Sequence, residues 1–261
     1  MAHLKKIAKG SHTIKERAFI LFSIAQVFVC LKRHFNALAW TDHAIALDPD
    51  NAAYWILKGD ILMAEPFSRY TGSLNAYQSA AALQPDNAAI LLRIGNVHEM
   101  YNTMDAAIAA YDRALALNPS DAGIWCRKGC ALNTLLSHLK RRQQIRTLSQ
   151  DIADDITLLN NVLLAFRRAV ELEPGNPETL YLMAQTLAQM EKYDEALRFY
   201  DTALQNIRSE SFPPLQIWYA KAEVLEKVGR ISEAEELFER YHEALKKDYR
   251  LFHAGRSPRS L

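Results

Sequence analysis

The sequence predicts an all-α chain of stacked helical hairpins, and three observations carry that prediction. First, Ala (37) and Leu (34) supply more than a quarter of the 261 residues, while 9 Gly and 9 Pro fall well below the ~12% usual for the pair. Second, one phrase recurs: Ala46-Leu47-Asp48-Pro49-Asp50-Asn51, Ala82-Leu83-Gln84-Pro85-Asp86-Asn87, Ala116-Leu117-Asn118-Pro119-Ser120-Asp121 and Glu171-Leu172-Glu173-Pro174-Gly175-Asn176. Third, its prolines stand 36, 34 and 55 residues apart, a period of two short helices with one longer member.

The elements follow in order. Residues 1–13 read as a basic arm, closed by the capping box Thr13-x-x-Glu16 that opens the first helix. Six hairpins then occupy about 18–51, 52–87, 88–121, 122–176, 177–214 and 215–252, and 253–261 form a basic tail. Each first helix carries a large residue, then a hydrophobe or lysine and a small residue three and four positions on, then a further residue. These are Leu21/Ile24/Ala25/Phe28, Trp55/Lys58/Gly59/Leu62, Leu91/Ile94/Gly95/His98, Trp125/Lys128/Gly129/Leu132, Leu180/Met183/Ala184/Leu187 and Trp218/Lys221/Ala222/Leu225. The second helices carry small–x3–aromatic–x2–small, complete in Ser73/Tyr77/Ala80, Ala107/Tyr111/Ala114 and Ala196/Tyr200/Ala203. Ala37/Thr41/Ala44 lacks the aromatic, Val162/Phe166/Ala169 enlarges the first position, and Ala234/Phe238/Tyr241 loses the last small one. Paired helices approach closely only where side chains are small, which explains Gly59, Gly95 and Gly129 inside helices despite ~1 kcal/mol each relative to Ala. The aromatics are expected to fill the space between adjacent repeats.

This registered pattern resembles the tetratricopeptide repeat over residues 14–252. The resemblance implies a right-handed superhelical α-solenoid whose first helices line a concave channel for a peptide or helix of a partner. The fourth repeat holds 21 residues too many. Leu135, Leu139, Ile145, Leu148, Ile152, Ile156 and Leu159 continue the helical spacing, so an insertion at about 138–159 extends that hairpin or folds back as a separate helix. Thr147-x-x-Gln150 is a candidate cap within it. The last helix bears a stripe of Phe238, Tyr241, Leu245, Tyr249 and Phe252. That stripe either caps its own repeat or meets a second copy in a homodimer.

Composition also bounds the partner and the compartment. The +1 net charge is a cancellation: residues 1–17, 138–146 and 246–261 each carry +4, leaving −11 for the rest. The basic segments read as solvated ends or as grips on an acidic surface. The overall balance argues against nucleic acid, and the 138–146 segment lacks stacking aromatics. Ala18 to Leu31 is fourteen uncharged residues, short of the ~20 that span a membrane. It reads as a buried helix rather than a signal peptide, because Lys32, Arg33 and His34 follow it directly. Cys30, Cys126 and Cys130 are too few and odd in number for a disulfide framework, which favours the cytoplasm.

No catalytic constellation, phosphate loop or metal motif is present, so neither an enzyme nor a cofactor is expected. Cys126 and Cys130 lie one turn apart but lack two further zinc ligands. His98 reads as a hydrogen-bonded, half-buried histidine, and Asp151, Asp154 and Asp155 as carboxylates at a helix start. By the resemblance, the channel pairs are Phe22/Gln26, Ile56/Asp60, Leu92/Asn96, Cys126/Cys130, Tyr181/Gln185 and Tyr219/Glu223. Arg93 and Arg127 are expected beside Asn96, free for a ligand carboxylate or paired with nearby acids. Relatives that clamp chaperone C-termini use lysines and a second asparagine that this sequence lacks at matching places. Glu178, Glu223 and Glu226 near Tyr181 and Tyr219 suit a basic or aromatic segment. The leading expectation is a non-catalytic adaptor, ahead of an envelope-assembly or secretion factor and of a regulatory subunit of an enzyme complex.

Overall fold

The structure, a computed structural model, describes residues 13–64, 69–143, 150–207 and 214–254. The basic arm 1–12, Thr147 and the tail from 255 lie outside it, as do the side chains of Arg142, Asp151, Asp154, Tyr249 and Phe252. The described residues form twelve helices and no strand. They divide into two compact units, Met1–Ser120 and Asp121–Leu261, with three hairpins in each.

In the first unit, α1 (Ile14–Cys30) pairs with α2 (His34–Leu47), α3 (Ala52–Met63) with α4 (Tyr70–Leu83), and α5 (Ala88–Met100) with α6 (Met104–Leu117). Successive hairpins stack through α2 on α3 and α4 on α5. In the second, α7 (Ala122–Gln143) pairs with α8 (Gln150–Leu172), α9 (Pro177–Gln189) with α10 (Tyr193–Asn206), and α11 (Leu215–Lys227) with α12 (Ile231–Ala254). There α8 stacks on α9 and α10 on α11.

Local chemistry sets the helix starts. Thr13 and Glu16 form the expected reciprocal box, Thr13 N donating to Glu16 Oε2 at 2.8 Å and Glu16 N to Thr13 Oγ1 at 3.3 Å. The recurring phrase has a second job that the sequence reading did not assign. Its last residue caps the next helix: Asn51, Asn87 and Asn176 accept from Ala53, Ala89 and Glu178 backbone N–H groups, and Asp121 from Ile124. The turn inside a hairpin places one residue in the left-handed region, at Lys32 (φ 55°), Asn102 (62°), Glu191 (59°) and Gly229 (78°).

Packing explains the small slots and corrects the expected place of the aromatics. Each ring lies on the glycine of its own hairpin rather than only between hairpins. A Cβ added at Gly59 would fall 2.5 Å from Tyr77, one at Gly129 2.6 Å from Phe166, and one at Gly95 closer still to Tyr111. Tyr77 also touches the next hairpin through a cluster with Ile90 and Val97. Ala25, Ala184 and Ala222 fill the same slot in the other three hairpins, each fully buried.

The extra residues of the fourth repeat are shared between both members of its hairpin. Helices α7 and α8 run 22 and 23 residues, against 13 and 14 for α5 and α6. At 1.5 Å per residue each is lengthened by ~14 Å. No described helix is long and apolar enough to cross a membrane. The apolar run in α1 is buried on one face only, contrary to expectation. Ala18, Leu21, Ala25 and Phe28 are inside, whereas Phe19, Val27 and Leu31 are 60%, 58% and 59% exposed.

Candidate functional site: the first-helix faces

In the first unit the residues expected on the first-helix face are half-buried or exposed, and several are tied together. Phe22 is half-buried, with its ring 5.0 Å from that of Tyr54, while Gln26 is exposed. Ile56 and Leu92 are half-buried. Asp60 is the hub: its Oδ1 accepts from Tyr77 Oη at 2.7 Å and from Arg93 Nε at 3.1 Å. Arg93 is therefore ion-paired with Asp60 across two repeats, the second of its two expected states, and an incoming carboxylate would compete with that acid. In the third repeat Tyr111 Oη donates to Glu99 Oε2 at 2.6 Å and lies 2.9 Å from the Asn96 side-chain oxygen. His98 sits as expected, Nδ1 being 3.1 Å from Tyr70 Oη and 2.9 Å from Thr103 Oγ1, and burial lowers its pKa.

In the second unit the same positions border two clefts. One, of about 230 Å³, is lined by Cys126, Arg127, Cys130, Glu173, Glu178 and Thr179. The other, of about 210 Å³, is lined by Gln185, Tyr200, Glu223, Val224 and Lys227 among others. Both are below the ~300 Å³ that small-molecule and cofactor sites occupy, and each has room for one or two side chains. The Cys126 thiol is pulled below the ordinary range by its hydrogen bond with Cys130, and Thr179 Oγ1 donates to its sulfur at 3.8 Å. No group of three or more metal-ligating side chains occurs among the described residues.

Gln185 Nε2 donates to Tyr181 Oη at 2.6 Å, and the Tyr181 and Tyr200 rings lie 6.1 Å apart. Tyr219 is 43% exposed but partly committed to its own hairpin, with ring centroids 5.7 Å from Phe238 and 5.4 Å from Tyr241. Burial, followed by the Glu223 charge, raises the Tyr181 pKa, while Glu223 is the chief cause of the rise at Tyr219. Burial likewise raises Tyr77 and Tyr200. All four hydroxyls keep their protons at neutral pH; that of Tyr77 donates to Asp60, whereas that of Tyr181 accepts from Gln185. The sequence missed that the second-helix tyrosines reach these faces: Tyr77 and Tyr111 deliver their hydroxyls beside glycines, and the glycine-plus-tyrosine register was the available signal.

The comparisons with known proteins agree with this fold. A family profile described as "Tetratricopeptide repeat" matches residues 67–122, and one described as "Anaphase-promoting complex, cyclosome, subunit 3" matches 155–241. The chain is a tetratricopeptide-repeat protein. Its twelve described helices make six repeats, the fourth elongated. Among solved structures, YrrB, "a TPR protein with an unusual peptide-binding site", superposes with TM-score 0.60 at 20% identity, covering 84% of this chain and 97% of YrrB. PilF of Pseudomonas aeruginosa gives 0.65 at 14%, covering 93% and 99%. PilW, a type IV pilus biogenesis factor, gives 0.62 at 16%, covering 84% and 90%. At these identities the likeness establishes the tetratricopeptide fold alone. No curated protein sequence matches the chain.

Proposed function

We propose that the chain is a non-catalytic scaffold or adaptor that holds a peptide or helical segment of a partner protein on its first-helix faces. One observation carries this reading: two clefts of the second unit open at first-helix positions, Cys126/Cys130 in one and Gln185/Glu223 in the other. Side-chain-sized clefts flanked by amide, acid and phenol groups suit an extended or helical segment. YrrB, described as having an unusual peptide-binding site, supports the same use of the fold. Glu178, Glu223 and Glu226, with Tyr181 and Tyr219, favour a basic or aromatic segment at the second unit. On the first unit the available contacts are the exposed Gln26 and the half-buried Ile56, Leu92 and Asn96 around the Asp60–Arg93 pair.

Neither a nucleic acid nor a cofactor has a place in this reading. The three cysteines are free thiols, which supports a reducing, cytoplasmic setting. A homodimer through the last helix is a weaker alternative, since Phe238 and Tyr241 are already turned onto Tyr219.

The test is site-specific photo-cross-linking in cells. A photoreactive residue at Gln185 should capture a discrete partner, and the same residue at the exposed outer-helix position Arg198 should not. Equal capture from both positions, or loss of neither adduct on Glu223→Lys, would move the site off this face.

A further inference from the structure

The first helix presents a face that every stacked repeat inside a unit keeps covered. Align the repeats on their large slots, and Ile20 and Val27 fall on Tyr54 and Ile61, Ile90 and Val97, Thr179 and Thr186, and Ile217 and Val224. Those eight counterparts are 0–3% exposed. Their cover is the second helix of the preceding repeat: α2 over α3, α4 over α5, α8 over α9 and α10 over α11. Val27, in contrast, is 58% exposed, and Phe19 and Leu31 extend the same four-residue stripe at 60% and 59%. Lys15 stands exposed near one end of the stripe, and Lys32 and Arg33 at the other.

We propose that this face docks an amphipathic helix of a partner protein, apolar along one ridge and acidic at its flanks, seated as α10 is seated on α11. Four internal examples define the shape of the occupant, and the basic rim defines its charge. Residues 1–12 bring Lys5, Lys6 and Lys9, the same sign as the rim, so the chain's own arm is the wrong complement. A second copy fits poorly too. Where α2, α4, α8 and α10 place Leu38, Leu74, Leu163 and Leu197 toward the next repeat, α12 places the exposed carboxylate of Glu235. Stacked head to tail, that charge would sit over Ile20 and Val27 rather than over the rim. This surface is separate from the first-helix channel face that carries the proposed function.

The test titrates the full chain with a fluorescent, hydrocarbon-stapled peptide of Tyr193–Asn206, an interior second helix with three acids and one arginine. Saturable one-to-one binding is expected. Val27→Glu should weaken it at least tenfold without changing the melting curve, because the site is exposed. Lys32→Glu with Arg33→Glu should weaken it several-fold, and a probe carrying lysines for Asp194, Glu195 and Asp201 should recover the loss. Absence of saturable binding, or binding indifferent to Val27→Glu, overturns the proposal. So does a wild-type dimer in light scattering that Val27→Glu dissolves, which makes a second copy the occupant. Probe-independent binding to phosphatidylglycerol vesicles, lost in Val27→Glu, overturns it in favour of a membrane surface. Glu223→Lys should leave probe binding intact, so failure here and failure of the channel reading are separate results.

Discussion

The first repeat and the last each present a face with no further repeat upon it among the described residues, and the two are finished in opposite ways. On α12 the outward positions that interior second helices fill with apolar residues (Leu38 and Ile45, Leu74 and Ala81, Leu163 and Val170, Leu197 and Leu204) are Glu235 and His242, both exposed. On α1 the equivalent positions are the half-buried Ile20 and the exposed Val27, with exposed Phe19 and Leu31 alongside. A stack of repeats is soluble only if its terminal faces are polar, because each repeat buries its apolar face on a neighbour. The last repeat meets that requirement by substitution at two positions, and Phe238 and Tyr241 fold back onto Tyr219. The first repeat does not meet it. The difference, a polar face on α12 and an apolar one on α1, is what the proposed contact at α1 rests on.

The sharpest break of this comparison is one substitution made at two equivalent sites. Val97 is fully buried in a cluster with Ala80 and Ile90, so Val97→Glu buries an unpaired carboxylate and should cost about 3–5 kcal/mol. Val27→Glu, at the same slot of the first repeat, should stay within about 0.5 kcal/mol. Urea melts of both variants decide the matter. A large loss at Val27 would mean that the α1 face is covered in solution.

How much of this was legible beforehand differs by level. Repeat order, helix content and the long fourth hairpin follow from period and residue size, which are local properties, and the capping box at Thr13 was readable letter by letter. The burial state of α1 was not: a run of fourteen uncharged residues read as a buried helix, because composition cannot say whether a neighbour exists on the second side. The Asp60–Arg93 pair was also out of reach. It depends on two helices of successive repeats bringing residues 33 positions apart to 3.1 Å, and the sequence left pairing and freedom equally open. The seat of the aromatics shows a third kind of gap. Gly59 and Tyr77 were both recognised, but which helix the ring would meet is a matter of rotamer and crossing angle.

A second prediction attempts to erase the polar finish. Glu235→Leu with His242→Leu restores the interior pattern on α12 and makes its face complementary to the stripe on α1. Two buried leucines contribute about 3–6 kcal/mol to a new contact, of the same order as the entropic cost of association. The variant should therefore show a concentration-dependent rise in mass by light scattering, reversed by adding Val27→Glu. A monomer at every concentration would mean that the two faces differ in shape as well as polarity.

Smaller effects should distinguish the hairpin turns at the same two ends. Gly229 (φ 78°) and Lys32 (φ 55°) hold the left-handed position that ends α11 and α1. Gly229→Ala should cost about 1 kcal/mol, since an L side chain is strained there although no atom lies within 4 Å of the added Cβ. Lys32→Gly should act in the opposite direction, by a gain of up to about 1 kcal/mol offset in part by the entropy of the unfolded glycine. Opposite signs in thermal melts are the expected outcome. Equal signs would show that the lysine side chain contributes more at its end than the backbone costs.

The smallest effect lies at the start of α12, where Arg230 grips Glu233 with two bonds, Nε to Oε1 at 2.7 Å and Nη2 to Oε2 at 2.6 Å. The Arg230 hydrogen bonds are the leading cause that holds the Glu233 carboxyl below its ordinary value. A depressed folded pKa means that the pair's contribution is present above the ordinary glutamate range and is lost as pH falls through the lowered value. Both groups are solvent-exposed, so screening should leave the melting temperature of Arg230→Gln indistinguishable from wild type at neutral pH. The titration itself should still move. Followed by the Glu233 carboxyl carbon resonance, the midpoint should rise toward an ordinary glutamate in Arg230→Gln and in wild type at high salt. An unmoved midpoint would assign the depression to the N-terminus of α12 instead, where Glu233 stands in the first turn and the helix dipole favours its charge.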